Sequence, residues 1–436
     1  EYPMKDFLVL LLAATVVALP TASAAVSDAE ITQLREQLAA LSQRLEQLAA
    51  ENAELRNAQD DAATAIAGIQ TDVHQVRDAG SAAATESWSD RISLDGDFRY
   101  RYENIDPEGS ATRKRNRIRA RANIRANLAD DVKVGFGLAT GGDDPVSTNQ
   151  TIGGGGSSKG VVLNLAYVDW KAADGLHVFG GKFKNPLTRV GKQALIWDGD
   201  WTPEGVALTY KNDLFFANAI GTFLESDSRR SNDNFSWGAQ FGVAGEIGGA
   251  KVKGGIGYFS IKTQGDGTTF GDQGDPGDYL GNTAVENAGL ASGTTPGASC
   301  VYQYDYLLTE VFAEAAFNVG EWPALVFVDY VKNSDPSDND TAWTAGAKFG
   351  QSKDRGQLQF SYYYADKEAD SVFGLLTDSD FGGGGTDNKG HFLQLNVGVN
   401  KTWTIGAQYF INETDLASGS KSDYNRLMID SQWKWK

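Results

Sequence analysis

Between Arg91 and Trp435 the chain changes face at every second residue, in segments about ten residues long. The run from Arg113 to Leu128 shows it best. Arg113, Arg115, Arg117, Arg119, Arg121 and Arg125 fall on one side, and Ile118, Ala120, Ala122, Ile124, Ala126 and Leu128 on the other. Period two belongs to a strand, because successive side chains leave a pleated sheet on opposite faces. A soluble sheet can alternate in the same way, but its connections have no reason to differ between its two ends. Here tight turns such as Ala129-Asp130-Asp131 and Lys211-Asn212-Asp213 take turns with long polar stretches such as 141–160, 185–203, 263–304 and 367–390. That rhythm predicts an all-β transmembrane antiparallel barrel of about 16 strands, apolar outside and polar within.

Composition excludes other classes only in part. The net charge of -18 argues against nucleic acid as a partner, and Cys300, the single cysteine, rules out an internal disulfide or a CxxC motif. Past the first twenty residues no apolar run approaches the ~18–20 residues that a membrane-crossing helix needs. The N-terminus reads as a signal peptide over 1–24: Met4-Lys5 supplies a basic start, Phe7 to Leu19 an apolar stretch and Ala22-Ser23-Ala24 a cleavage site.

A second periodicity follows. Ile31, Leu34, Leu38, Leu41, Leu45, Leu48, Asn52 and Leu55 keep 3-4 spacing, continued by Gln59, Ala62, Ile66, Ile69, Val73 and Val76. Heptads of this kind predict an N-terminal α-helical coiled coil, a periplasmic stalk over 25–78, about 46 heptad residues rising roughly 69 Å. β-Branched residues at both a and d in its last heptads favour three strands, hence a homotrimer. Residues 79–90, rich in Gly, Ser and Ala, form a linker, and 91–436 the barrel.

Several segments resemble the proteobacterial putative porins: RISLDGDFRYRYE (91–103), RNRIRARA (115–122), ATGGDDPVSTNQT (139–151), GGKFKNP (180–186) and IWDGDWTPE (196–204). The resemblance covers roughly residues 90–436. It implies a general-porin-like, trimeric channel in the bacterial outer membrane, with lipid around it and small hydrophilic solutes and ions passing by diffusion. It names no particular solute.

Charge on a lipid-facing strand costs about 2–4 kcal/mol near the bilayer midplane, so the arginine face must line water. The expected pore-lining set is Asp95, Asp97, Arg99, Arg101, Arg113, Arg115, Arg117, Arg119, Arg121 and Arg125, with Asp95 and Asp97 brought close to Arg119 and Arg121 by the hairpin. By analogy with trimeric porins, the connection after the fifth strand would fold into the lumen. It would set Asp198, Asp200 and Glu204, with Arg189 and Lys192, opposite the basic wall as a constriction. Two other readings stay open: an anion-specific channel with arginine binding stations, and a structural tether contacting the cell wall through the stalk. Nothing suggests an enzyme, a cofactor or a metal. His74, His177 and His391 lie far apart, and Asp266, Asp272, Asp275 and Asp278 lack EF-hand spacing.

Overall fold

The structure is a computed structural model that describes residues 88–225, 234–267, 276–287 and 299–436, with scattered positions between Ala39 and Gly68. Those scattered positions are helical and exposed. The a and d positions of the heptads, the signal peptide and most of the linker lie outside the described residues. The chain divides into two units, 1–87 and 88–436, and the second is a barrel.

Sixteen strands build it: β1 (Ile92–Pro107), β2 (Arg113–Asn127), β3 (Val132–Thr140), β4 (Val161–Ala173), β5 (Leu176–Lys182), β6 (Glu204–Lys211), β7 (Phe215–Glu225), β8 (Asn234–Ile247), β9 (Ala250–Ile261), β10 (Tyr306–Val319), β11 (Trp322–Asn333), β12 (Thr341–Gly350), β13 (Leu358–Lys367), β14 (Asn388–Gly398), β15 (Trp403–Thr414) and β16 (Ser422–Trp435). Each pairs antiparallel with the next, and β1 pairs with β16 from Gly96 opposite Trp435 to Pro107 opposite Tyr424. Closure leaves no unpaired sheet edge, the condition for strands to cross a bilayer. Two short additions are not counted among the sixteen: Gln150–Thr151, which pairs with β2, and a ribbon of Ala284–Glu286 with Cys300–Tyr302.

Residues facing outward are apolar and exposed, among them Leu94, Phe98, Ile124, Phe136, Phe241, Val243, Val326 and Ile429. Aromatic pairs ring both ends. Trp403–Trp433 and Trp322–Phe349 stack at 5.4 and 5.5 Å near the short-turn rim. Trp237–Tyr258 and Trp343–Tyr364, at 5.6 and 5.3 Å, lie near the long-loop rim. Two aromatic girdles around an apolar band are the outer-membrane pattern. The tight end is made by turns such as Gly248-Gly249, whose φ of 58° and 82° require the left-handed region that glycine enters freely.

The interior departs from a uniformly wet column. Connections from the long-loop rim turn inward, and their apolar side chains form a buried cluster: Val146 from the β3–β4 loop, Leu187, Ile196, Trp197 and Trp201 from β5–β6, Tyr279 and Tyr302 from β9–β10, and Val372, Phe373 and Leu376 from β13–β14. It packs on Phe259, Leu308 and Val331 of the wall. Much of one side of the lumen is therefore filled with packed protein.

Candidate functional site

β1 and β2 run side by side with Asp97 opposite Arg121 and Arg99 opposite Arg119. This register, set by the hairpin connection 108–112, places alternate charges on the inner face. Asp97 accepts from Arg119 at 2.9 Å and from Arg121 at 2.7 Å. Glu103, with 0% side-chain exposure, accepts from Arg115 and lies 3.5 Å from Arg117 and 3.1 Å from Arg426 of β16. Arg101 holds Asp430 of β16 at 2.7 Å. Arg99 donates to Asn149 at 2.6 Å, and Asn149 and Ser147 of the β3–β4 loop also meet Arg117. Asp95, expected beside Arg119 and Arg121, forms no ion pair with either among the described residues. Asp95 stands opposite Asn123, which donates to it at 3.0 Å, and pairs with Arg125, because the register puts it two residues further down the strand. Arg113 is exposed at the outer end of β2.

The β5–β6 connection, 183–203, enters the barrel. Its Asp200 lies 3.2 Å from Arg119 and 2.9 Å from Arg121 on β2. Its Gln193 donates to Asp329 of β11 at 2.7 Å, and the Gly191 N–H donates to Glu314 of β10 at 2.9 Å. Gly191 has a φ of 59° and sits against the Phe327 ring, so a side chain there meets both strain and collision. β2 and β10 are eight strands apart in a hoop of sixteen, so the loop is tied to opposite walls. Thr188 adds a fourth tie, its N–H donating to Gln240 of β8 at 2.8 Å. Arg189 turns back on its own loop, donating to the Trp197 carbonyl at 3.3 Å, and Lys192 is exposed. Glu204 does not belong to this loop. It opens β6 on the outward register of Val206 and Leu208, its side chain 64% exposed, and pairs with Lys182 at 2.7 Å, because the strand already begins at residue 204.

A second infolded connection, 368–387, carries groups that the sequence reading did not single out. Asp380 lies 2.8 Å from Arg426 and 3.1 Å from Arg101. The two loops are stitched together: Asp198 N–H donates to the Leu376 carbonyl at 2.7 Å, Ser379 N–H to the Asp198 carboxylate at 3.1 Å, and the Thr377 hydroxyl to the Leu195 carbonyl at 2.7 Å. Burial raises the Asp200 carboxyl, but Arg119 and Arg121 outweigh it and hold it below its ordinary value. Burial likewise opposes Asp380, and Arg426 and Arg101 again prevail. Asp198 forms no ion pair of this kind among the described residues, although Arg189 and Lys367 lie within electrostatic reach. Burial, with Asp378 and Asp200 nearby, pushes it up to about 8.

Two cavities flank the crossing loop. One of about 370 Å³ is bordered by Arg121, Lys184, Arg189, Lys434 and Lys436, with Asp95, Asp97 and Asp200, five basic groups against three acidic and thus net positive. The other, about 430 Å³, opens among the long loops. They share Asn164, Asp200, Trp201 and Thr202.

A closed barrel with an apolar band, two aromatic girdles, and a loop crossing its lumen defines an outer-membrane channel. Residues 104–267 and 277–434 match the family described as "Putative porin", and the chain belongs to that family. No curated protein matches the sequence. Among solved structures, Pseudomonas putida OprB at high pH is similar in fold, at 11% identity over 80% of this chain and 95% of that one, TM-score 0.52. A loop-deletion mutant of Vibrio cholerae OmpT matches over 79% of this chain and 100% of that one, at 14% identity and TM-score 0.44. Salmonella typhi OmpF in complex with daunomycin matches over 80% and 100%, at 12% identity and TM-score 0.46. The chain is an outer-membrane porin, a channel and not an enzyme.

Proposed function

We propose that this porin passes small hydrophilic solutes and ions by passive diffusion through a lumen narrowed by the 183–203 loop, which stands between the wall of β1 and β2 and the wall of β10 and β11. The observation that carries this reading is the pair of anchors at opposite walls, Asp200 to Arg119 and Arg121, and Gln193 to Asp329. In this reading Asp97, Arg121, Arg189 and Asp200 border the narrow section, and Arg99, Arg101, Arg115, Arg117 and Arg119 brace the wall and loops through their carboxylate and amide partners. Charged groups on both sides of a narrow section favour hydrated polar solutes over apolar ones.

The alternative of arginine stations for one anion is less well supported. Asp97, Glu103, Asp200, Asp380 and Asp430 already engage most of the guanidiniums. The purified protein in a planar bilayer tests both. Current that rises in proportion to salt concentration fits diffusion, and saturation at low concentration of one anion overturns it. For the segment 25–78 we retain the heptad reading of a trimeric periplasmic stalk. Deleting it and measuring oligomer size and envelope integrity separates assembly from tethering.

A further inference from the structure

The larger cavity differs chemically from a passage for hydrated ions. One wall is apolar and aromatic: Trp201, Tyr302, Phe373, Leu375 and Leu376. Trp201 is fixed there by stacking on Trp197 at 4.6 Å. The charged residues around the cavity are Asp143, Asp144, Asp200, Glu204, Asp266 and Lys182. Lys182 and Glu204 compensate each other at 2.7 Å, and Asp200 is held by two arginines. Asp143 and Asp144 enter no ion pair among the described residues, and they leave the mouth acidic. Thr148 also lines the cavity, 6% exposed, and its hydroxyl finds no hydrogen-bond partner among the described residues. A buried hydroxyl without a partner is costly unless something else completes it.

Resting on the channel reading, we propose that this outer chamber is a binding station for organic solutes that carry a cationic end on an apolar body. The ammonium or guanidinium end takes the acidic mouth, and the body lies on the Trp201–Phe373–Leu376 wall. Aromatic faces attract cations as well as apolar surface, so the two recognitions reinforce each other. Further along the shared residues the second cavity is net positive, with Lys184, Arg189 and Lys434 ahead of the solute. A cation leaving the chamber in that direction is repelled, so it dwells in the chamber and interrupts the ion current.

The test is single-channel recording of the full chain in potassium chloride with 2-phenylethylammonium added on each side in turn. Three comparators isolate the chemistry: ethylammonium lacks the body, phenylacetate reverses the charge and 2-phenylethanol removes it. The expected result is saturable interruption by 2-phenylethylammonium alone, with roughly five-fold weaker affinity in the Asp143→Asn/Asp144→Asn double variant. Equal block by phenylacetate or ethylammonium in the unaltered protein overturns the proposal, as does an unchanged affinity in the double variant. A protein that passes no potassium chloride current at all overturns the channel reading itself.

Discussion

Arg121 of β2 and Asp200 of the crossing loop meet at 2.9 Å, while the same guanidinium holds Asp97 of β1 at 2.7 Å. One side chain thus joins two wall strands to the connection that enters the barrel.

Replacing Asp200 with Asn removes the charge and one of the two acceptor oxygens that serve Arg119 and Arg121, and leaves the Gln193–Asp329 anchor in place. Charge-assisted hydrogen bonds of this kind contribute about 1.5–3 kcal/mol each. The loop is expected to loosen, giving noisier open-channel current, and the unbalanced arginines to favour chloride. Reversal potential across a salt gradient measures it, and no shift toward chloride counts against this account of the wall.

Glu103 lies fully buried against Arg101, Arg115, Arg117 and Arg426. Glu103→Gln keeps the shape and strips the charge, leaving Arg115 and Arg117 without their ion-pair partner and Arg101 and Arg426 with Asp380 and Asp430 alone. Breaking such a network costs about 3–5 kcal/mol. A urea titration of the folded barrel in detergent should show a lower midpoint, whereas Asp174→Asn, on a fully exposed turn, should leave it in place.

The two infolded loops meet through Asp198, whose carboxyl is raised to about 8 by burial with Asp378 and Asp200 close by. Its folded value lies above the ordinary 3.8, so the folded form holds the proton more tightly. The contribution is complete below about pH 4 and declines as pH rises, until ionisation near 8 sets Asp198 against Asp378. Loop separation, read as growing current noise between pH 6 and 9, should disappear in Asp198→Asn. Noise independent of pH in the unaltered protein would falsify this assignment.

Phe241 of β8 faces outward, 51% exposed in the apolar band. Phe241→Arg should destabilise the barrel by about 2–4 kcal/mol if it lies near the bilayer midplane. Folding yield into lipid vesicles reports it, and an undiminished yield would place that face elsewhere than against lipid.

How far the sequence could be read depends on what enforces each feature. The alternation from Arg113 to Leu128 has one solution in a membrane, since lipid rejects the arginine side. Strand identity and closure were therefore legible. Partner choice was not: Asp95 meets Arg125 and Asn123 because a five-residue connection, 108–112, fixes the hairpin register. Glu204 shows the weakness of boundaries, one residue separating a loop acid from an outward strand end. The 368–387 connection looks like any polar outer loop. Its one signal was Val372, Phe373, Leu375 and Leu376 together, a greasy run that an exterior loop has little reason to carry. Glu310 and Asp329, tied to Gln240 and Gln193, gave themselves away only as acids on the inward register of otherwise apolar strands.

The attachment of residues 183–203 at β2 and at β10 and β11 acts as a beam across the cylinder. A ring kept round only by its perimeter can ovalise when the surrounding bilayer squeezes it. With opposite points pinned, the aperture is set inside the molecule, so conductance should vary little with lipid thickness or lateral tension.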